Sequence, residues 1–228
     1  AYPWSLVSRY YAMQPTNPSI SSSNVHGYLV QLPQCDITSN PYGRGTGTTE
    51  LFECVAIKYG AISVVVWFYE PSGGKGVLLD FQTVQYPGSP SSGWTPWLYI
   101  GTNGILYAGD TYFNLGPLPS SAISPGWHMA VVEEWATSTS GPYYLAFYLD
   151  GQFVGQVSET SGVPQVFASF PYGYIGTGYT HGWTAGNGGW FFFDGTVAYV
   201  AVYNTVLSSS QVQQLYQAGF PNTLFSNN

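Results

Sequence analysis

The sequence predicts an all-β protein in which two antiparallel sheets pack face to face and one short helix closes the C-terminal end. Three observations predict it. Short runs of β-branched and aromatic residues, roughly a dozen, are separated by Gly, Pro, Asn and Asp. No internal repeat of roughly 20 to 50 residues signals a solenoid or propeller. Only the last segment carries helix-capping signals. A chain of 228 residues fits one large sandwich. No linker long enough to cut it is present, so residues 31–228 are expected as a single domain behind an extended arm at residues 1–30.

Taken in order, the arm holds many turn formers ("QPTNPSISSSN") and one strand near Tyr28 to Leu32. "AISVVVWFY" at Ala61 to Tyr69, bounded by Gly60 and Pro71, reads as a buried strand. "GVLLDFQTV" is expected to pair with it across a Ser-Gly-Gly turn. "WLYIG" and "ILYAGDTYF" flank the turn "TNG" as a hairpin, and a further strand runs from Trp127 to Trp135. Asp150-Gly151, between "YYLAFYL" and "QFVGQVS", readily takes the positive φ angles of a type I′ turn and predicts another hairpin. Strands at Tyr174 to Gly176 and Trp190 to Phe193 interrupt an aromatic loop region, and "TVAYVAVYN" is the last long strand. Ser208 with Gln211 forms a capping box, Val212, Leu215 and Tyr216 share a helical face, and Gly219 stops the helix.

Composition narrows the function. Charged residues make up 7% of the chain, against roughly 25% in an average soluble domain. The 45% apolar and 18% aromatic content argues for folding rather than disorder. A net charge of −7 disfavours an electrostatic grip on nucleic acid or on anionic membranes. No apolar run is long enough to span a bilayer as a helix. So few ionisable groups leave the surface little changed by pH, which suits an acidic or hot medium. Ala1 in place of Met points to a removed leader or an excised fragment, and export is the economical expectation. Cys35 and Cys54 then read as one disulfide worth roughly 3 kcal/mol, the alternative being two buried free thiols. No CxxC or HxxxH spacing supplies a zinc site.

Several motifs together resemble the concanavalin A-like jelly rolls, and within them the laminin G-like type. They are "SVVVWFYEPSGG", "GWHMAVVEEW" at Gly126 to Trp135, "FYLDGQFVGQV" at Phe147 to Val157, "YIGTG" at Tyr174 to Gly178, and "FDGTVAYVAVYNTVLSSSQVQQLYQAG". Their order and spacing match over residues 60 to 220. The resemblance implies a jelly-roll β-sandwich, and a structural Ca²⁺ held by carbonyls and an acid after the turn at Asp194 and Gly195. Here Gly195, Thr196, Val197 and Ala198 stand where that acid commonly lies, which leaves Asp194 as the candidate ligand, or as a residue that shapes its turn.

Catalysis is not expected. Glycoside hydrolysis needs two carboxylates converging on one face, whereas adjacent Glu133 and Glu134 on a strand point to opposite faces. They read as one solvated and one sheet-capping carboxylate. No Gly-x-Ser-x-Gly elbow is present. His128 reads as a satisfied, half-buried imidazole. The candidate ligand-binding set is Tyr172, Tyr174, Tyr179, His181, Trp183, Asn187 and Trp190, interleaved with Gly. Such residues stack on sugar rings, make protein contacts, or pack the rim of a sandwich. The expectation is a non-catalytic extracellular structural or adhesive subunit that associates with itself or other surface proteins. The alternative is a lectin-like carbohydrate-binding module, and a glycan-cleaving enzyme ranks below both.

Overall fold

The computed structural model of the chain describes residues 30–37, 43–44, 47–110, 115–159, 167–168 and 170–219. The expected arm therefore lies outside the described residues except for Val30. The elements run β1 (Val30–Gln31), β2 (Gln34–Asp36), β3 (Gly43–Arg44), β4 (Thr48–Glu50), α1 (Leu51–Tyr59), β5 (Ala61–Glu70), β6 (Gly76–Gln82), β7 (Trp94–Ile100) and β8 (Ile105–Asp110). There follow β9 (Leu115–Ala122), β10 (Gly126–Ala136), β11 (Tyr143–Leu149), β12 (Gln152–Glu159), β13 (Phe167–Ala168), β14 (Tyr172–Ile175), β15 (Thr196–Tyr203) and α2 (Ser209–Ala218). A six-stranded sheet ordered β1-β14-β6-β7-β8-β9 packs on a five-stranded sheet ordered β12-β11-β10-β5-β15. Every pairing within these two sheets is antiparallel. This is the predicted jelly-roll sandwich with its short C-terminal helix.

The β11–β12 hairpin turns at Asp150 (φ 50) and Gly151 (φ 77), as the Asp-Gly pair predicts. The α2 capping box forms between Ser208 and Gln211. The disulfide also forms, with the Cα atoms of Cys35 and Cys54 6.1 Å apart, and ties β2 to α1. The helix α1 was not foreseen. No element is expected from the sequence over LFECVAIKY, but Glu50 caps the start of the helix and Gly60 ends it in the left-handed region (φ 71).

The expected pairing of β5 with β6 is overturned. Both edges of β5 are taken, by β10 and β15, so the Pro71 to Lys75 connection carries the chain across to the other sheet. At the landing point Gly76 (φ 119) packs so closely on the chain that a Cβ would lie 2.1 Å from the Phe192 carbonyl oxygen. Val77 N donates to Phe191 O, and Asp194 N to Lys75 O. Trp190 to Phe193 accordingly makes isolated bridges, Tyr179 with Trp190 and Val77 with Phe192, in place of the expected strand.

The main core lies between the sheets, with Val64, Val66, Phe68, Ala130 and Val132 facing Leu79, Phe81, Trp97, Leu98 and Ile100. A second apolar layer covers the outer face of the five-stranded sheet, where Leu207 and Val212 of the α2 region meet Val65, Trp67, Met129 and Val131. Glu133 and Glu134 do face opposite sides, but neither is solvated, at 1% and 2% exposure. The extra layer on the outer face buries Glu133, and the inter-sheet core buries Glu134.

Candidate functional site

The aromatic loop after β14 splits into two groups. In the first, Trp190 lies 4.9 Å from Tyr86, 5.7 Å from Tyr174 and 5.8 Å from Tyr179, ring centre to ring centre. Its indole N–H donates to Gly88 O at 3.0 Å. Trp94 extends this group, 5.6 Å from Tyr179 and 6.3 Å from His181, and its indole donates to His181 O. Trp183 belongs to the second group, with Val77, Tyr99, Tyr107 and Phe191. The expected set is thus divided, and Trp94 and Tyr86 join it from a strand end and a Pro-rich turn.

Its members differ in what they can offer. Tyr174 is fully buried, and its hydroxyl accepts from Tyr86 N at 2.8 Å. Asn187 spends its side chain on the loop: Oδ1 accepts from Thr180 Oγ1 and Gly189 N, and Nδ2 donates to Trp190 O. Tyr172, Tyr179, Trp183 and Trp190 are half-buried, and His181 is exposed. A partly exposed aromatic surface remains, centred on Trp94, Tyr179 and His181, with no Asp, Glu, Lys or Arg among these residues.

The outer face of the five-stranded sheet is the second candidate surface. Residues directly opposite across an antiparallel pair share a face. Trp127 stands opposite Tyr69, Met129 opposite Trp67, Glu133 opposite Ser63, and Tyr148 opposite both Val131 and Phe153. On β15, Thr196, Tyr199, Ala201 and Tyr203 continue the same rows. Glu133 is the only Asp, Glu, Lys, Arg or His that the five strands turn to this side, and it is buried. Its Oε1 accepts from Leu207 N at 2.8 Å and lies 2.8 Å from Ser63 Oγ. Burial raises its carboxyl above the ordinary value, against both of these bonds. The helix α2, "SSQVQQLYQA", adds no charge, and its Tyr216 stacks on Trp67 at 6.0 Å. At the margin, His128 bonds Asp150 through Nδ1 and Ser124 O through Nε2, both at 2.7 Å. Asp150 Oδ1 accepts from Met129 N, so this histidine is satisfied and pins the hairpin turn. The bond to Asp150 raises its pKa above the ordinary value, outweighing burial.

Four further acids gather inside the sandwich beneath α1. Glu50, Glu53, Asp110 and Glu134 are all buried. Trp97 Nε1 donates to Glu134 Oε1, and Thr95 Oγ1 lies 3.3 Å from Asp110 Oδ1. Burial holds the carboxyls of Glu53 and Glu134 well above the ordinary range, and their acidic neighbours add to it. Among the described residues, Glu53, Asp110 and Glu134 are the one group of three or more side chains placed to hold a metal ion. Asp194 is exposed on its turn and is not in that group. Burial raises its carboxyl, and Lys75 opposes that.

No protein-family model and no curated protein sequence matches the chain. Among the described residues no helix is long and apolar enough to cross a membrane. Solved structures do resemble it. The sialidase of Trypanosoma rangeli, in complex with 2,3-difluorosialic acid, is 17% identical with a TM-score of 0.46, covering 78% of this chain and 27% of the sialidase. The chain thus spans about a quarter of that enzyme. The heptameric SAP-like pentraxin of Limulus polyphemus is 14% identical with a TM-score of 0.47, covering 72% of each chain. The CBM40 of Ruminococcus gnavus IT-sialidase, bound to α2,3-sialyllactose, is 12% identical with a TM-score of 0.49, covering 82% of this chain and 97% of that one. The likeness is one of fold alone: the sheet order establishes the jelly roll, and at these TM-scores the neighbours carry no argument about a site.

Proposed function

We propose that the chain is a non-catalytic, extracellular structural or adhesive subunit that assembles with copies of itself through the outer face of its five-stranded sheet. One observation carries this reading. Of the six large hydrophobic residues exposed among the described residues, four lie on that face or on the helix covering it: Phe153 (54%), Trp127 (49%), Tyr69 (40%) and Tyr216 (37%). Each ring has about half its surface left to bury, on the order of 1 kcal/mol apiece. A face without exposed charge offers nothing for a charged partner to match, and a second copy of the same uncharged, aromatic face meets it without repulsion. The Cys35–Cys54 bridge supports an oxidising compartment. Sedimentation of wild type, Trp127→Glu and Phe153→Lys over a concentration series tests the reading. Assembly should rise with concentration in wild type and fail in both variants. A wild type that stays monomeric at high concentration, or variants that assemble as wild type does, would refute it.

A glycan-binding reading has its own support in the rim group, where the rings of the partly exposed Trp94 and Tyr179 and the exposed His181 gather beside uncharged polar groups, the residue types that contact a sugar ring. Glycan-array binding lost in Trp94→Ala and Tyr179→Ala, with assembly intact, would favour it over assembly alone.

A further inference from the structure

We infer that Glu53, Asp110 and Glu134 form an internal site for one hard divalent cation, separate from both candidate surfaces. The three side chains come from three layers: α1, the end of β8 in the six-stranded sheet, and β10 in the five-stranded sheet. One carboxylate oxygen from each lies within 4.8 Å of the other two. Oxygens bound to a common Ca²⁺ or Mg²⁺ at about 2.0–2.6 Å cannot be farther apart than roughly 5 Å, so the spacing is that of a shared ion. A cluster of acids alone would not make a site. The second observation is Glu53 itself, 3% exposed, whose Oε2 is buried without a hydrogen-bond partner. A buried carboxylate oxygen left unsatisfied is costly, and the charges acting on Glu53 are those of Glu134, Glu50 and Asp110, all of its own sign. A cation among the three supplies the missing partner.

The surroundings fit that role. Trp97 Nε1 holds Glu134, and Thr95 Oγ1 stands against Asp110, the kind of outer bonding that fixes the orientation of ligating carboxylates. The donors are oxygens, with no His or Cys in the group, which selects Ca²⁺, Mg²⁺ or Mn²⁺ over zinc or copper. Because the ligands come from α1 and from both sheets, the ion would add a cross-link among parts already joined by side-chain packing, by the Trp97–Glu134 bond between the sheets and by the direct run of the chain from α1 into β5.

The test is elemental analysis and thermal unfolding of the full chain refolded from guanidinium with EDTA, then with Ca²⁺, Mg²⁺ or Mn²⁺ in excess. Refolding is needed because a buried ion exchanges slowly with chelator. The expected result is about one ion per chain for at least one of the three metals, with Tm raised by roughly 10 °C over the EDTA sample. Glu53→Gln should bind none and show the same Tm in metal and EDTA. Two results overturn the inference: wild type refolded without bound metal and with a Tm that no cation moves, or Glu53→Gln that retains the ion. A Glu53→Gln chain that fails to fold leaves the decision to wild type, where Tb³⁺ luminescence sensitised by nearby Trp97 should appear on binding. It should fall sharply in Trp97→Phe, and luminescence unchanged in that variant places the ion elsewhere and also overturns the inference.

Discussion

Glu50 sets two strong effects against each other and yields a prediction with a definite sign. As N-cap of α1 it accepts from Glu53 N at 2.7 Å and Phe52 N at 2.8 Å. These bonds and the helix N-terminus favour its ionised form. The residue is fully buried, however. Gly173 stands so close that a Cβ there would lie 2.6 Å from Glu50 Oε2, which leaves little room for water. Burial wins, and the carboxyl is pushed up to about 8. A carboxyl raised in the folded state binds a proton that the unfolded chain releases above about 4.5. Its stabilisation is therefore complete below that value and is lost as pH rises toward 8. Each unit is worth about 1.4 kcal/mol, so the shift from 4.5 to about 8 amounts to about 5 kcal/mol. Glu50→Gln cannot ionise. It keeps one of the two cap acceptors, for a pH-independent loss of about 1 kcal/mol. Urea unfolding of both proteins at pH 4.5, 6.5 and 8 reports on this residue together with Glu53 and Asp80, whose carboxyls its charge also raises, while titrating groups that do not interact with it cancel in the difference. Wild type should lead by about 1 kcal/mol at pH 4.5 and trail by about 3 kcal/mol at pH 8, where the folded carboxyl is half ionised and about 4 kcal/mol of the shift has been lost. A wild-type lead that is constant, or that grows with pH, would mean an ionised cap and refute the reasoning.

Three further outcomes follow from local geometry. Replacing Cys35 and Cys54 by Ser opens a closure over a sequence separation of 19 and should cost about 3 kcal/mol, read by calorimetry as a drop of roughly 10 °C in Tm. Gly76→Ala puts a Cβ 2.1 Å from Phe192 O at a φ of 119° and should lose more than about 3 kcal/mol in urea unfolding. Gly182→Ala, at a φ of 78° with no atom near, should lose only about 1 kcal/mol. Glu133→Ala removes the acceptor that Leu207 N and Ser63 Oγ share, but Ser63 Oγ retains Thr205 O and Leu207 N retains Ser63 Oγ, so it should cost about 1 kcal/mol in urea unfolding, whereas Glu133→Gln, which keeps an acceptor, should lose less than half of that in the same assay.

The sandwich was legible because its signals are local. The Asp150-Gly151 turn, the runs of Ala61 to Tyr69 and Trp127 to Trp135, and the Ser208 and Gln211 capping box each specify their geometry within a few residues. Part of what failed depended on distant chain. The partner of β6 is decided by β15, which arrives more than a hundred residues later to occupy the second edge of β5. Helix α1 was missed because it is short and its start is marked by an acid in the capping place, where Ser or Asn is the commoner signal. The rim aromatics were legible only as residues of one Gly-rich stretch of sequence. Their division was not, because Trp183 and Trp190 sit in one loop yet pack on different neighbours. The internal acids did leave a signal. Each stands inside an apolar run, as in "LFECVAI", "LYAGDTY" and "MAVVEEW", and an acid so placed in a strand-rich chain is buried more often than that residue type ordinarily is.

Those acids also change what the net charge of −7 means for assembly. Of eleven carboxylates, Glu50, Glu53, Glu70, Asp80, Asp110, Glu133 and Glu134 are buried. Asp36, Asp150, Glu159 and Asp194 reach solvent, equal in number to the four Lys and Arg of the whole chain. An interior carboxylate is tolerated when a proton or a cation neutralises it, and either way its charge is withdrawn from the long-range field that keeps copies apart. The formal charges that remain, four acidic and four basic, are then balanced, the condition under which proteins associate most readily. Screening by salt has little left to act on. On the proposed reading, a contact between copies would rest on burial of Trp127, Phe153, Tyr69 and Tyr216, so one charge at Trp127 should abolish assembly while moderate changes in salt leave it nearly unmoved.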